Sequence, residues 1–145
     1  MMKAKSYLSS KTEVVKFVLP EHLNNMGNMH GGEIMKLMDD TAGLTFVRHA
    51  SGEAVTAAAN DIRFIKPIPA NSIVKCVTQL IGTGRTSMQV TAQVFIENIK
   101  TGEAVLAAEG MFIGVAIDEN GKPRPVAPVI IDKTRTITNT DEREA

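Results

Sequence analysis

The sequence is poor in the residues that mark several common protein classes. It has no tryptophan, one tyrosine and one cysteine in 145 residues. A single cysteine, Cys76, excludes a disulfide framework within the chain, which fits a reducing compartment. Lys and Arg balance Asp and Glu at 16 each, so the total charge gives no reason to expect a nucleic acid or a membrane surface as partner.

Long apolar runs are also missing. No run approaches the roughly 20 residues that a membrane helix needs, and the lysines near the N-terminus precede no apolar segment of the kind found in signal peptides. We therefore expect one cytoplasmic domain over residues 1–145. Its ordered core should span about residues 12–128, and a tail rich in Pro, Thr and charge should follow from about 129 to 145.

Sequence motifs for metal and nucleophilic chemistry are missing as well. His22, His30 and His49 do not have the spacing of metal ligands, so neither a metal nor a cofactor is expected. None of the serines lies in a G-x-S-x-G elbow. The run GTGRTS at 82–87 lacks the lysine of a phosphate-binding loop and by itself predicts a hairpin turn.

The patterns that are present predict one long helix and several strands. The helix should run from Gly31 to about His49, with Arg48 and His49 in its last turn. Strands are predicted in four segments after the helix, and a shorter β-rich run precedes it. These strand segments are 12–20, 54–68, 72–81, 87–98 and 104–117. In the second of them Ile62 and Phe64 should point inward, and Val55 is a further candidate.

This order favours an α+β fold, with an antiparallel sheet wrapped around one helix. The helix is too apolar around its circumference to leave a full side in water. One such unit also leaves sheet edges and a broad sheet face uncovered. We therefore expect the protein to form an oligomer.

The adjacent residues Asp39 and Asp40 are predicted to differ. Asp40 shares a narrow sector of the helix with Glu33 and Lys36, which indicates a solvated or interfacial face. Asp39 lies about 100° from the centre of that sector, at the edge of the apolar stripe. It is either a surface charge, a carboxylate satisfied by a neighbouring backbone donor, or a functional group.

The helix start offers a second chemical feature. Gly31 and Gly32 expose the first backbone N–H groups, which have no acceptor within the helix and would polarise a carbonyl oxygen held there. Asp39 is roughly 10 to 12 Å further along the axis from Gly32, too far to serve the same carbonyl. Either the chemistry lies elsewhere, or the donors of one helix meet the acid of a second copy.

The sequence resembles the cytosolic acyl-CoA thioesterases of the hotdog fold, the group that includes the brain acyl-CoA hydrolase and its single-domain bacterial relatives. The matching segments run in the family's order and cover about residues 20–128. The combination GN-x-HGG-x-I-M-x-x-M-D followed by F-I-K-P-I is the most specific part. The segments are PEHLNNMGNMHGGEIMKLMDDTAG (20–43), RHASGEAVTAAANDIRFIKPI (48–68), GTGRTSMQV (82–90) and AEGMFIGVAIDENGKPRPVAP (108–128).

The resemblance implies roles for particular residues. The family's catalytic acid falls on Asp39, and its catalytic asparagine falls on Asn24, with Asn28 as the alternative. Gly31 and Gly32 match the glycines at the helix start, with Gly32 in the catalytic set, and His30 is a candidate for lining the site. The residues that correspond to regions near coenzyme A are Lys66, Gly84, Arg85, Thr86 and Ser87.

The activity implied by the resemblance is hydrolysis of fatty acyl-CoA to free fatty acid and coenzyme A. Asp39 of one subunit would act as a general base, or alternatively as a nucleophile, and Asn24 of the partner subunit would position the water or the carbonyl. Coenzyme A would be part of the substrate, and no separate cofactor is expected. Family members form dimers, often three to a hexamer.

Two other functions of the fold stay open at this point. One is a non-catalytic acyl-CoA sensor. The other is a hydratase, which uses an Asp and a His a few residues apart in one loop, whereas His30 and Asp39 here are nine residues apart and separated by helix.

Overall fold

One helix of 20 residues, α1 (Gly31–Ala50), is the centre of the fold in the computed structural model, which describes residues 2–131. The His30 side chain caps its start by accepting a hydrogen bond from the Gly32 N–H. Ser51, in the left-handed conformation at φ 54°, ends the helix. The predicted helix is confirmed within one residue at its C-terminal end.

The helix packs on a five-stranded antiparallel sheet in the order β2-β4-β5-β6-β3, which confirms the predicted α+β class. Short connections join β4, β5 and β6, as expected for a meander. The strands are β2 (Thr12–Phe17), β3 (Ala54–Phe64), β4 (Ile73–Thr83), β5 (Ser87–Glu97) and β6 (Ala104–Ala116).

Two short strands extend the described fold past the predicted core boundaries. β1 (Lys5–Ser6) pairs in parallel with β7 (Val129–Ile130). Short 3-10 turns occupy Tyr7–Ser9 and Pro20–His22. The rest of the predicted tail, from residue 132 onward, lies outside the described residues.

The core lies between the helix and one face of the sheet. Ile34, Met38, Ala42 and Thr45 are buried, as their spacing on the helix predicts. The alternating residues of β5 meet them from the sheet, because successive side chains of a strand point to opposite faces. These buried β5 residues are Met88, Val90, Ala92 and Val94.

The edge strand β3 departs from the predicted side-chain pattern. Ile62 packs on the core as expected. Phe64 points to the same face, since it pairs with the buried Ala108 and its ring lies beside Gly31, although it is 52% exposed at the sheet edge. Val55 is 49% exposed, so its predicted inward direction is wrong.

A β-bulge lies between Asn60 and Arg63, where Asp61 has a positive φ of 54° and the register with β6 shifts. The bulge lies in one of the two edge strands, since β2 and β3 each have an outer edge with no partner within residues 2–131.

No helix among residues 2–131 combines the length and apolar character needed to cross a bilayer.

Candidate active site

Asp39 and Thr56 form a hydrogen-bonded pair between the middle of the helix and the edge strand. The Thr56 hydroxyl donates to Asp39 Oδ1 at 2.7 Å. Both residues are exposed in the single chain, and so is Asp40. Asp39 is thus a surface carboxylate in the single chain, one of the alternatives that the sequence left open, and its partner is a side-chain hydroxyl.

The helix start presents one open amide and one that is already engaged. Gly32 N–H donates to His30 Nδ1 at 2.9 Å, so His30 is a cap in this conformation. Gly31 N–H has no hydrogen bond within the described part of the chain. The ring of Phe64 is adjacent, 3.7 Å from the position that a Cβ on Gly31 would take. An oxygen bound here would meet the Gly31 amide directly and would have to replace His30 at Gly32.

The loop before the helix fixes the orientation of Asn24. Its side-chain oxygen accepts hydrogen bonds from the backbone N–H groups of Met26 at 2.9 Å and Asn28 at 3.1 Å. The side-chain nitrogen, which carries two hydrogens, forms no hydrogen bond within residues 2–131. Asn24 is thus held by its oxygen and offers its amide as a donor.

Asn24, Gly31 and Lys66 line the same cleft. Its volume is about 340 Å³, and the loop, the helix start and the chain after β3 enclose it. Apolar groups form most of the wall, and Lys66 is an exposed cation at its rim. The apolar lining residues are Met26, Met29, Ile34, Phe64, Ile65, Pro67 and Ile68.

The segment 84–87 is a tight turn between β4 and β5. Gly84 N–H donates to the Ser87 carbonyl at 2.9 Å, and a Cβ on Gly84 would be 2.5 Å from Ser87 Oγ, so a larger residue there would make the serine side chain rotate. The Arg85 and Thr86 carbonyls accept from Val126 and Ala116. The Arg85 side chain is left exposed at the sheet end.

The predicted site residues therefore form three separate groups within one chain. Asp39 is about 12 Å along the helix from Gly31. Lys66 N–H bonds to Ala107, whereas Ser87 pairs with Val115, eight positions further along β6, which is about 26 Å of strand. A single chain does not bring Lys66 and the 84–87 turn to the same ligand.

Thr56 was not predicted from the sequence. It is a lone hydroxyl in the run AVTAAAN, which reads as an ordinary strand surface. What makes it a candidate is its position on the edge strand beside the helix, where its hydroxyl bonds to Asp39.

Neither a metal site nor a cysteine nucleophile finds support in the described residues. Residues 2–131 contain no cluster of three or more His, Cys, Asp or Glu side chains able to hold a metal. Burial raises the pKa of the Cys76 thiol to about 12, an effect that the Thr41 side chain beside it only partly offsets. A thiol held protonated in the core is a poor nucleophile.

Comparison with protein families gives a match to the model of the thioesterase superfamily over residues 26–103. Among individual proteins, the chain is 37% identical over 121 residues to the uncharacterized acyl-CoA thioester hydrolase YkhA of Bacillus subtilis. That match covers 83% of this chain and 70% of the relative.

Solved structures give the same result. An acyl-CoA hydrolase from Staphylococcus aureus, in complex with butyryl coenzyme A, coenzyme A and coenzyme A disulfide, has a TM-score of 0.87 and 32% identity, covering 90% of this chain and 79% of that one. A hexameric acyl-CoA thioesterase without ligand has a TM-score of 0.86 and 32% identity, covering 98% and 88%. These matches confirm the predicted hotdog fold.

The Staphylococcus aureus hydrolase has also been solved as three single variants. Each carries alanine in place of one residue, which is an aspartate, an asparagine or a threonine. The asparagine precedes the aspartate by 15 positions in that chain, and the threonine follows the aspartate by 17.

Proposed function

The chain belongs to the thioesterase superfamily, and on that premise we propose that it hydrolyses fatty acyl-CoA to free fatty acid and coenzyme A. We further propose that its catalytic residues are Asp39, Thr56 and the helix-start amides of Gly31 and Gly32, together with Asn24. The aspartate and threonine come from one subunit, and the asparagine and the amides come from its partner.

The observation that carries the residue assignment is a match in spacing. Asn24, Asp39 and Thr56 are 15 and 17 positions apart, as are the three residues substituted in the Staphylococcus aureus hydrolase, and the residue types agree in order. The 2.7 Å hydrogen bond between Thr56 and Asp39 supports the assignment, because two of the three residues are in direct contact in the present chain.

The free edge of β3 supplies the means of joining two subunits. An 11-residue edge strand with exposed backbone groups is a ready partner for a second copy of itself. An antiparallel pair with its two-fold axis near Asn60 sets Thr56 of one subunit opposite Phe64 of the other. Because Asp39 bonds to Thr56 and Gly31 abuts Phe64, this pairing brings the acid of one subunit to the helix start of the other.

The same two-fold axis would place the candidate coenzyme A contacts of the two subunits at one site. The 84–87 turn lies at the Thr56 end of the sheet, since Ser87 pairs with Val115 and Val115 pairs with Val55. Lys66 follows Phe64 at the other end. In the dimer, Arg85 of one subunit and Lys66 of the partner subunit would border one site and bind phosphates as cations. Gly84, Thr86 and Ser87 would shape the turn that presents Arg85.

The proposed reaction uses an activated water. The Asp39 carboxylate takes a proton from the water as its oxygen attacks the thioester carbon, and Thr56 holds one carboxylate oxygen so that the other faces the water. The negative oxygen of the tetrahedral intermediate is stabilised by Gly31 N–H and by Gly32 N–H once the latter leaves His30. The C–S bond then breaks, and the coenzyme A thiolate recovers the proton from Asp39.

Asn24 is assigned to positioning the reactants. Its oxygen is already engaged by the loop, so its amide nitrogen is the group available to donate to the water or to the carbonyl oxygen. The reaction in this form needs no metal or separate cofactor, and we expect activity to survive EDTA. We expect the dimer to be the minimal unit and three dimers to form a hexamer, as the hexameric neighbour suggests.

Subunit complementation tests the shared site. Asp39→Ala and Asn24→Ala would each be inactive as pure proteins. Mixing them through unfolding and refolding should restore about a quarter of wild-type activity, because half of the random dimers are mixed and each mixed dimer has one intact site. Free coenzyme A release from acyl-CoA is the readout.

Two results would contradict the proposal in different ways. A wild-type protein that binds acyl-CoA without releasing coenzyme A would be a sensor, and one that hydrates an enoyl-CoA would be a hydratase. A wild-type thioesterase whose mixed variants stay inactive, although size measurements show mixed dimers, would place the acid and the asparagine of each site in the same subunit.

A further inference from the structure

We infer that the acyl chain of the substrate lies along the exposed face of α1 beyond Asp39, and that Gly43 sets how long a chain is accepted. This inference rests on the proposed function and adds the determinant of its substrate range. On one line of the helix surface, residues four apart run from Met35 through Asp39 and Gly43 to Val47. Met35 and Val47 are 39% and 37% exposed, so the carboxylate stands in an apolar strip.

The two-fold axis decides the direction of the chain. If Asp39 of one subunit faces Gly31 of the partner subunit, the two-fold axis passes near residue 35, because position 35 is halfway between positions 31 and 39. An acyl chain directed towards Met35 would meet the chain of the second, symmetry-related site. The other direction leads over Gly43 to Val47, about 12 Å from Asp39, and stays within one site.

The packing within the subunit does not explain why residue 43 is glycine, which is consistent with its making room for the acyl chain. Glycine inside a helix is destabilising relative to alanine, and nothing in the subunit requires it here. A Cβ on Gly43 would meet no neighbouring heavy atom within 4 Å, and its φ is not in the positive range. The gap opens at the surface, one turn from the reacting carboxylate.

The dimer supplies the opposite wall of this groove. The loop around residues 24–28 lines the cleft at the helix start, so the partner's loop lies beside Asp39, where the groove towards Gly43 begins. That loop carries Met26, which is 78% exposed and has an adaptable apolar side chain. Two apolar walls with a gap at Gly43 suit an alkyl chain and would reject a charged group.

Graded substitution at Gly43 tests the inference. We expect Gly43→Ala to keep the wild-type profile of kcat/KM across acyl-CoA substrates from two to sixteen carbons. Gly43→Phe should leave kcat/KM for acetyl-CoA and butyryl-CoA within about twofold of wild type. It should lower kcat/KM for palmitoyl-CoA by at least about tenfold, the lower range for a steric mismatch in an apolar pocket. Leu44→Phe is the matched control, because Leu44 is 45% exposed but points about 100° away from Gly43.

Affinity for S-alkyl coenzyme A thioethers separates this inference from the proposed function, since thioethers cannot be hydrolysed. If wild-type protein fails to hydrolyse acyl-CoA, the proposed function fails. Selective loss of long-thioether binding in Gly43→Phe would still support the groove. An equal loss for short and long chains, a loss of dimer by size measurement, or no change would overturn the inference and assign Gly43 to subunit contact or to no role.

Discussion

Thr56 reaches from the unpaired edge strand to Asp39 at 2.7 Å, and this contact ties the candidate acid to the same strand that we expect to form the dimer. A shift of β3 would therefore move the carboxylate's anchor as well as the subunit boundary. In the proposed mechanism, the chemistry and the assembly therefore share one hydrogen bond and one strand edge.

The first prediction compares the two adjacent aspartates. Asp39→Asn keeps the side-chain shape and removes the base, so turnover should fall by at least roughly 100-fold without a loss of folding. Asp40→Asn is the matched control, since Asp40 is also exposed but has no assigned role, and its activity should stay within about twofold of wild type. Coenzyme A release and a thermal melt are the measurements, and equal activity of the Asp39→Asn enzyme would refute the general-base assignment.

The second prediction concerns the hydroxyl of Thr56. Thr56→Val keeps the branched shape but removes the donor, which should lower kcat by about 10-fold or more and change KM little, because the loss affects the base and not substrate binding. Thr56→Ser should recover most of the rate. If the valine and serine variants lose the same activity, Thr56 acts by packing alone.

Asn24 can be separated from the loop that it stabilises. Asn24→Asp keeps an oxygen that accepts from the Met26 and Asn28 amides but has no amide donor, so the loop should form while kcat falls by about 10- to 1,000-fold. Asn24→Ala loses both functions and should in addition lower the melting temperature. An aspartate variant with wild-type kcat would leave Asn24 with a structural role only.

The predicted coenzyme A contacts should affect binding of the nucleotide end. Arg85→Ala and Lys66→Ala should each raise KM for acyl-CoA about 10-fold, the effect of losing one charge-assisted contact. Both variants should have nearly unchanged KM values for acyl thioesters of N-acetylcysteamine, because these substrates lack phosphates. Lys16→Ala, on β2 at the sheet edge opposite β3, is a control. Steady-state kinetics at two salt concentrations would show whether the effect is screened, as it should be for exposed cations.

The sequence predicted the framework better than the site. The α1 helix and strands β3 to β6 follow from long periodic patterns, and the difference between Asp39 and Asp40 came from the helical wheel together with the family resemblance. The two-residue strands β1 and β7 have no pattern to detect. The exposure of Asp39 was left open, because a wheel shows the angle of a residue but not which side of the helix the sheet covers. Thr56 needed the tertiary contact with Asp39, which no periodic pattern reveals.

The last prediction concerns Cys76, whose thiol should be unreactive in the native protein. Its pKa is raised from 9.0 to about 12 by burial, so the folded protein keeps the proton where the unfolded chain loses it. The stability due to this proton is complete below pH 9 and is lost as the pH rises from 9 towards 12. The free energy of unfolding should therefore fall relative to that of Cys76→Ala by up to about 1.4 kcal/mol per pH unit above 9. Denaturant titrations from pH 8 to 10.5 measure it. The native thiol should also fail to react with the reagent that detects released coenzyme A, and fast labelling without denaturant would contradict the burial.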